Sequence, residues 1–193
     1  MKIKICGLTR LQDIQIVNMI QPDYVGFVFA GTKRKISFDF AQTLKQDLDA
    51  KIDAVGVFVN EPIQNVLFAA QKGLFDIIQL HGKEDDEYIR TLQQKTALKI
   101  IKAFIPIDFC KAQNCPADFI LLDNGMGTGQ TFDWTLIKSI SRPFFLAGGI
   151  CLKNIEKAVE ANPYAIDVSS GAETDGVKDM QKIKELVEYI RKV

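Results

Sequence analysis

Eight times along this chain a short apolar run rich in Val, Ile and Phe gives way to a stretch with helical spacing, and that alternation restricts the fold more than any other feature. The predicted strands are Ile3–Cys6, Tyr24–Phe29, Ala54–Val59, Asp76–Leu80, Lys99–Phe104, Phe119–Asp123, Phe144–Gly148 and Ile166–Ser169. They begin roughly 20 to 30 residues apart, a repeat of supersecondary size. Between them, Leu11–Ile20 carries apolar residues at Leu11, Ile14, Val17 and Ile20. Phe40–Leu48, Ile63–Lys72, Asp85–Gln94, Phe132–Ile140, Lys153–Ala161 and Asp179–Arg191 follow the same template. That spacing puts apolar side chains on one face of a helix. Ile107–Asp118 is the exception, because its two cysteines, Asn114 and Pro116 allow only a short, irregular helix.

Strand and helix in strict alternation require parallel strands joined by crossover helices. Eight such units point to a single-domain α/β chain, 1–193, folded as a closed (β/α)8 TIM barrel. An open doubly wound sheet is the alternative. With 193 residues the chain is just short of the usual barrel, so its helices and loops must be short. No linker or second composition regime divides it.

Charge and cysteine content remove several function classes. Basic and acidic residues balance at 24 each, which favours neither nucleic acid nor an anionic membrane surface as partner. No apolar run approaches a bilayer span, and the N-terminus shows no charged region followed by an apolar core, so the expected location is cytoplasmic. The cysteines, Cys6, Cys110, Cys115 and Cys151, form no C-x-x-C pair, and His81 is the one histidine. A zinc site is not expected, nor are disulfides. Cys110, Cys115 and Cys151 read as buried or semi-buried thiols.

In barrels of this kind active sites sit at the C-terminal ends of the strands. The predicted ends carry Cys6-Gly7, Val59-Asn60-Glu61, Gln79-Leu80-His81-Gly82, Asp123-Asn124-Gly125, Gly148-Gly149 and Asp167-Val168-Ser169-Ser170-Gly171. The opposite ends carry ordinary turn residues such as Pro22-Asp23 and Asn162-Pro163. Reactive types and glycines therefore gather at one rim, the pattern of an enzyme. Gly148, Gly149, Ser169, Ser170 and Gly171 can offer backbone N–H groups to a phosphate, and Gly127-Thr128-Gly129 could close over it. The alternative is that these glycines only make tight turns. No dinucleotide fingerprint is present.

Strand alternation puts Lys2, Lys4 and Cys6 on one face and Phe119, Leu121 and Asp123 on one face. A thiol and a carboxyl would then face each other across the barrel mouth, a layout suited to acid–base chemistry on a small sugar phosphate. Asp123 could instead be a capping aspartate. Arg34, in Lys33-Arg34-Lys35, could pair with a substrate carboxylate, although a solvated charge run is the simpler reading. His81 is a weak candidate for catalysis, and Phe132 and Trp134 read as core. An ordinary thiol is a poor base at neutral pH. Lys4, expected inside the barrel and paired with Asp167 on strand eight, is the nearest cation to help it.

The chain resembles the phosphoribosylanthranilate isomerase family. The resemblance rests on Lys4-Ile5-Cys6-Gly7-Leu8-Thr9, Gly26-Phe27-Val28-Phe29, Lys33-Arg34-Lys35-Ile36-Ser37, Val55-Gly56-Val57-Phe58-Val59-Asn60 and Ile78-Gln79-Leu80-His81-Gly82. It continues through Leu121-Leu122-Asp123, Gly127-Thr128-Gly129-Gln130-Thr131-Phe132-Asp133-Trp134, Leu146-Ala147-Gly148-Gly149-Ile150 and Asp167-Val168-Ser169-Ser170-Gly171-Ala172-Glu173. The resemblance implies an Amadori rearrangement of N-(5-phosphoribosyl)anthranilate in tryptophan biosynthesis, with Cys6 as general base and Asp123 as general acid. It implies a substrate-binding set of Arg34, His81, Gly127, Thr128, Gly129, Gly148, Gly149, Asp167, Ser169, Ser170 and Gly171. No metal or organic cofactor is implied. The partner is a small phosphosugar, with the protein a monomer or homodimer. The chain departs from the family pattern at Met126, where many members have glycine, and in the reduced Ile107–Asp118 element. A different phosphosugar lyase or epimerase, or a binding barrel without turnover, remains the competing reading.

Overall fold

Strand β1 (Lys2–Cys6) pairs on one side with β2 (Tyr24–Val28) and on the other with β8 (Ala165–Val168), both in parallel, and this second pairing closes the barrel. The computed structural model describes residues 1–31, 33–105, 108–123 and 140–193. Strands β3 (Asp53–Phe58), β4 (Ile77–Leu80), β5 (Lys99–Phe104), β6 (Phe119–Leu122) and β7 (Phe144–Leu146) complete the parallel ring in sequence order. All eight predicted strands form, and the closed barrel rather than the open sheet is the fold.

Helices α1 (Leu11–Ile20), α2 (Phe38–Asp47), α3 (Ile63–Gln71), α4 (Asp86–Lys95), α5 (Phe109–Asn114), α6 (Ile155–Glu160) and α7 (Met180–Lys192) pack outside the ring. Their starts follow local chemistry. Ser37 and Asp85 accept from the backbone N–H of Phe40 and Tyr88, and Asp179 accepts from Gln181 and Lys182, satisfying first-turn donors that a helix leaves unpaired. α5 is short, as its composition predicts. The helix expected over 132–140 lies almost wholly outside the described residues, as do Phe132 and Trp134. No helix among the described residues is long and apolar enough to cross a membrane.

Period-two alternation sorts each strand between two cores. Outward residues such as Ile3, Ile5, Phe27, Phe58, Ile78, Leu122 and Val168 pack under the helices. Inward residues, among them Cys6, Val55, Val57, Ile101, Leu121, Phe145 and Ala147, fill the ring. The strands' N-terminal end is plugged by aromatic rings: Phe119 stacks on Tyr164 at 5.0 Å, Phe145 meets Phe119 edge-on at 5.7 Å, and Tyr24 lies 5.6 Å from Phe145. The same end is tied by a repeated device. Asp23, Asp76 and Asp118, each just before an even-numbered strand, accept from the N–H of Ile3, Ala54 and Ile100 on the strand before it, at 2.8–2.9 Å. A cavity of about 240 Å³ lies at this end, against Tyr24, Phe119 and Tyr164, smaller than the one at the C-terminal rim.

Two features differ from the expectation. Cys110 is exposed, because α5 turns its outer face to solvent, whereas Cys115 is buried and Cys151 half-buried. After β8 the chain makes a 3₁₀ turn, Ser170–Ala172, and an antiparallel hairpin of β9 (Glu173–Thr174) and β10 (Val177–Lys178) before entering α7. Asp175 and Gly176, with φ of +52° and +79°, make its turn.

Candidate active site

The C-terminal rim holds a cavity of about 480 Å³ whose lining includes Cys6 from the end of β1 and Asp123 from the residue after β6. Both side chains come from inward positions. Backbone bonds fix the two ends: Gly7 N–H donates to the Gly26 carbonyl at 2.9 Å, and Asp123 N–H to that of Phe104 at 3.1 Å. Two glycines make room here. A Cβ on Gly26 would stand 2.6 Å from Cys6 Sγ, and one on Gly7, at φ +84°, would stand 2.4 Å from Arg34 Cδ. Both are closer than atoms can approach without displacement, so the thiol and the aliphatic stem of Arg34 occupy space that glycine leaves open.

The cation expected to influence the thiol is in position. Lys4 is fully buried and its Nζ lies 2.9 Å from Asp167 Oδ2. Burial pulls the Lys4 ammonium down, but the charges of Asp167 and Cys6 more than offset it and hold its pKa above the usual lysine value. Burial pushes the Cys6 thiol up; Lys4 and Lys178 pull it down, Asp167 opposes them, and the thiol ends above its ordinary value. Protonated Cys6 is thus the resting form, beside cations that favour the thiolate once charge develops.

Asp123 faces His81 across the mouth. His81 Nε2 stands 3.3 Å from Asp123 Oδ2, while its Nδ1 lies 2.9 Å from Gln79 Nε2. Gln79 is fully buried on β4, and its Oε1 has no hydrogen-bond partner. The other partnerless buried side-chain atom among the described residues is Asp167 Oδ1. Gln79 and Asp167 both line the cavity, so both acceptors belong to residues that a bound ligand would reach.

Arg34 is not a solvated charge. The chain after β2 folds back so that Ile36 N–H donates to the Val28 carbonyl at 2.9 Å, which turns Arg34 towards the cavity. Its Nε and Nη2 donate to the two carboxylate oxygens of Glu173 at 2.7 and 2.8 Å, a fork-to-fork pair. That bond, with the Glu173 charge, outweighs burial and raises the guanidinium pKa further. Glu173 also accepts from Lys178 Nζ at 2.6 Å, and Lys178 donates to the Ser169 carbonyl at 3.0 Å. The hairpin after β8 therefore brings a carboxylate and a second buried cation to the rim.

The phosphate-type turns are at the same mouth. Gly148 and Gly149, with φ of +95° and +62°, and Ser169 and Ser170 line the cavity. Ser169 Oγ donates to the Cys6 carbonyl at 3.1 Å, linking the turn after β8 to the thiol's own residue. Among the described residues, the N–H groups of Gly148, Gly149, Ser170 and Gly171 donate to no described acceptor. Gly171 stands behind the lining: a Cβ there would lie 2.0 Å from the Ile150 carbonyl oxygen, so it lets the two turns touch. Gly127, Thr128 and Gly129 lie outside the described residues.

Cys6, Asp123, Arg34, His81, Gly148, Gly149, Asp167, Ser169 and Ser170 thus share one cavity. Sequence reasoning passed over Gln79, Glu173 and Lys178. A polar residue at an inward strand position, between Ile77 and His81, was a usable signal for Gln79. Lys178 sits in a two-residue strand with no period to read. Among the described residues no group of three or more His, Cys, Asp or Glu stands together to hold a metal ion.

Residues 3–189 match the family model described as N-(5'phosphoribosyl)anthranilate (PRA) isomerase. An N-(5'-phosphoribosyl)anthranilate isomerase of Endomicrobium trichonymphae is 46% identical over 98% of each chain. Among solved structures, the phosphoribosyl anthranilate isomerase of Thermotoga maritima superposes with a TM-score of 0.90 at 35% identity, over 100% of this chain and 99% of that one. A phosphoribosyl anthranilate isomerase solved in complex with reduced 1-(o-carboxyphenylamino)-1-deoxyribulose 5-phosphate gives 0.87 at 34% identity, with the same coverage.

Proposed function

Because the chain belongs to the N-(5'-phosphoribosyl)anthranilate isomerase family, enzymes of tryptophan biosynthesis, we propose that it carries out the Amadori rearrangement of N-(5'-phosphoribosyl)anthranilate with Cys6 as general base and Asp123 as general acid. The observation that carries this reading is that one thiol and one carboxyl, from the ends of β1 and β6, line the same cavity with glycine and serine turns between them in the ring.

Asp123 gives its proton to the furanose ring oxygen. The C1–O bond breaks and the anilino nitrogen lone pair forms a Schiff base at C1. Cys6 then removes the proton from C2, the electrons move towards the iminium nitrogen, and an enolamine results. Tautomerisation to the ketone gives 1-(2-carboxyphenylamino)-1-deoxyribulose 5-phosphate. No electron acceptor is consumed, since C1 is reduced as C2 is oxidised. The pull of Lys4 and Lys178 on Cys6 is greatest when the thiolate forms, which is when the base is needed.

The substrate's charged ends match the rim. Its phosphate suits the N–H groups of Gly148, Gly149 and Ser170, which line the cavity, with Gly171 just behind them and Gly127, Thr128 and Gly129 as further candidates. Its anthranilate carboxylate suits the edge of Arg34 that Glu173 leaves open. The test is direct: Cys6→Ala and Asp123→Asn should fold as the parent does and lose about 10²–10⁴-fold in kcat, the range for a general base or acid. Near-parental turnover by either variant would remove the role assigned to that residue.

A further inference from the structure

We propose that Gln79 is a positioning residue, whose amide fixes the tautomer of His81 so that the ring N–H points at Asp123. The inference deepens the preceding reading and rests on Asp123 being the general acid.

A neutral imidazole has one donor nitrogen and one acceptor nitrogen, and the groups on either side decide which is which. Here both nitrogens are engaged. Gln79 Nε2 stands 2.9 Å from Nδ1, and Asp123 Oδ2 stands 3.3 Å from Nε2. An amide nitrogen can only donate, so Nδ1 accepts and the proton resides on Nε2. From there it is directed at the Asp123 carboxyl group, holding Oδ2 and leaving Oδ1 for substrate. Turning the amide end for end would reverse the chain. Gln79 Oε1 would accept from Nδ1, and the nitrogen facing Asp123 would become an acceptor.

Two observations favour the first arrangement. The atom of Gln79 left without a partner is its oxygen; reversal would instead bury an unpaired NH₂, and orphaned N–H groups are the rarer of the two in folded proteins. Gln79 also lines the cavity, so a sugar hydroxyl that donates to Oε1 would hold the amide as it stands. The His81 main chain is held independently of Gln79, since its N–H donates to the Phe58 carbonyl at 2.8 Å. The Gln79 amide acts on the ring itself, bonded to Nδ1, and sets which nitrogen carries the proton.

The chain has one histidine, which makes the experiment unambiguous. Protein labelled with ¹⁵N-histidine, at a pH well above the ordinary imidazole range, should show a single ring with its proton on Nε2 and none on Nδ1. In Gln79→Met the ring should become a mixture of tautomers. In Gln79→Glu, whose carboxylate can only accept, the proton should move to Nδ1 or the ring should carry both. In both variants kcat should fall about tenfold, the worth of one hydrogen bond, with KM changed less. A parental spectrum with the proton on Nδ1 overturns the inference without any variant. So does an unchanged tautomer in a folded Gln79→Met or Gln79→Glu. Failure of the underlying reading looks different: Asp123→Asn would keep its turnover, whatever the His81 spectrum shows.

Discussion

Lys4 and Asp167, 163 positions apart in sequence, form a buried ion pair of 2.9 Å on adjacent strands, in direct register across the seam that closes the barrel. The pair lies beneath Cys6, and its cation favours the thiolate while its anion opposes it. Lys4→Met removes the favourable partner and leaves Asp167 alone. The Cys6 pKa, already above its ordinary value, should rise further. Alkylation of Cys6 by iodoacetamide at neutral pH should slow about tenfold for each unit of that rise, and the alkaline limb of the kcat/KM profile should move to higher pH. Stability should fall by about 3–5 kcal/mol, the cost of breaking a buried pair from one side. Lys4→Met with Asp167→Leu should regain much of that stability and none of the activity. A Cys6 alkylation rate unchanged in Lys4→Met would show that the pair serves the fold alone.

The Lys4–Asp167 contact was open to sequence reasoning because alternation and strand order are enough to locate both residues. The same logic found all eight strands and the meeting of Cys6 with Asp123 at one cavity. It works where a period of two or 3.6 runs long enough to be read. The hairpin after β8 shows where it stops. Asp175-Gly176 is a strong turn signal, but the strands on either side are two residues each and cannot display alternation. Glu173 and Lys178 arrive at the rim through that hairpin, so their role depended on a tertiary placement that no local pattern records. Arg34 read from its own loop is a solvated charge for the same reason, since its partner, Glu173, is 139 positions away; the family resemblance alone points it to the site.

Glu173 links that hairpin to stability through pH. Burial pushes its carboxyl up, but the hydrogen bonds from Arg34 and Lys178 and their charges outweigh burial and hold it below the usual glutamate value. The folded protein therefore binds this proton less readily than the unfolded chain. The group's contribution is complete above the unfolded value of about 4.3 and is lost as pH falls through the folded value. Glu173→Gln should be less stable than the parent in urea titrations at pH 7, and the difference should shrink as the titration is repeated in acid. KM should rise as well, because Arg34 loses the fork that orients it. A stability gap that widens in acid would contradict the assignment.

Gly26 offers a geometric test of the thiol's seat. A methyl at this position would lie 2.6 Å from Cys6 Sγ and 3.0 Å from Cys6 Cα. Gly26→Ala should displace the thiol and reduce kcat by at least tenfold in protein with parental far-ultraviolet circular dichroism. Removing Sγ relieves the shorter contact, so the stability cost of Gly26→Ala should be smaller in a Cys6→Ala background. Thermal denaturation of the four proteins gives that coupling directly. Additive effects would mean that the backbone contact, and not the thiol, sets the need for glycine.

The buried pair Lys102–Glu84, at 3.0 Å, ties the loops after β3 and β4 to strand β5. Glu84 accepts from the N–H of Asn60 at 2.7 Å and of Gly82 at 2.9 Å, while Lys102 donates to the Gly82 carbonyl at 2.7 Å. Each charge is buried among partners that require the other. Lys102→Met should therefore cost about 3–5 kcal/mol, whereas Lys184→Ala, which removes an exposed pair of 3.9 Å on α7, should cost about 0–1 kcal/mol. Gly82 directly follows His81, so Lys102→Met should also lower kcat by loosening the chain that carries the imidazole. Equal stability losses in the two lysine variants, measured by urea unfolding, would show that burial of the Lys102–Glu84 pair does not determine its importance.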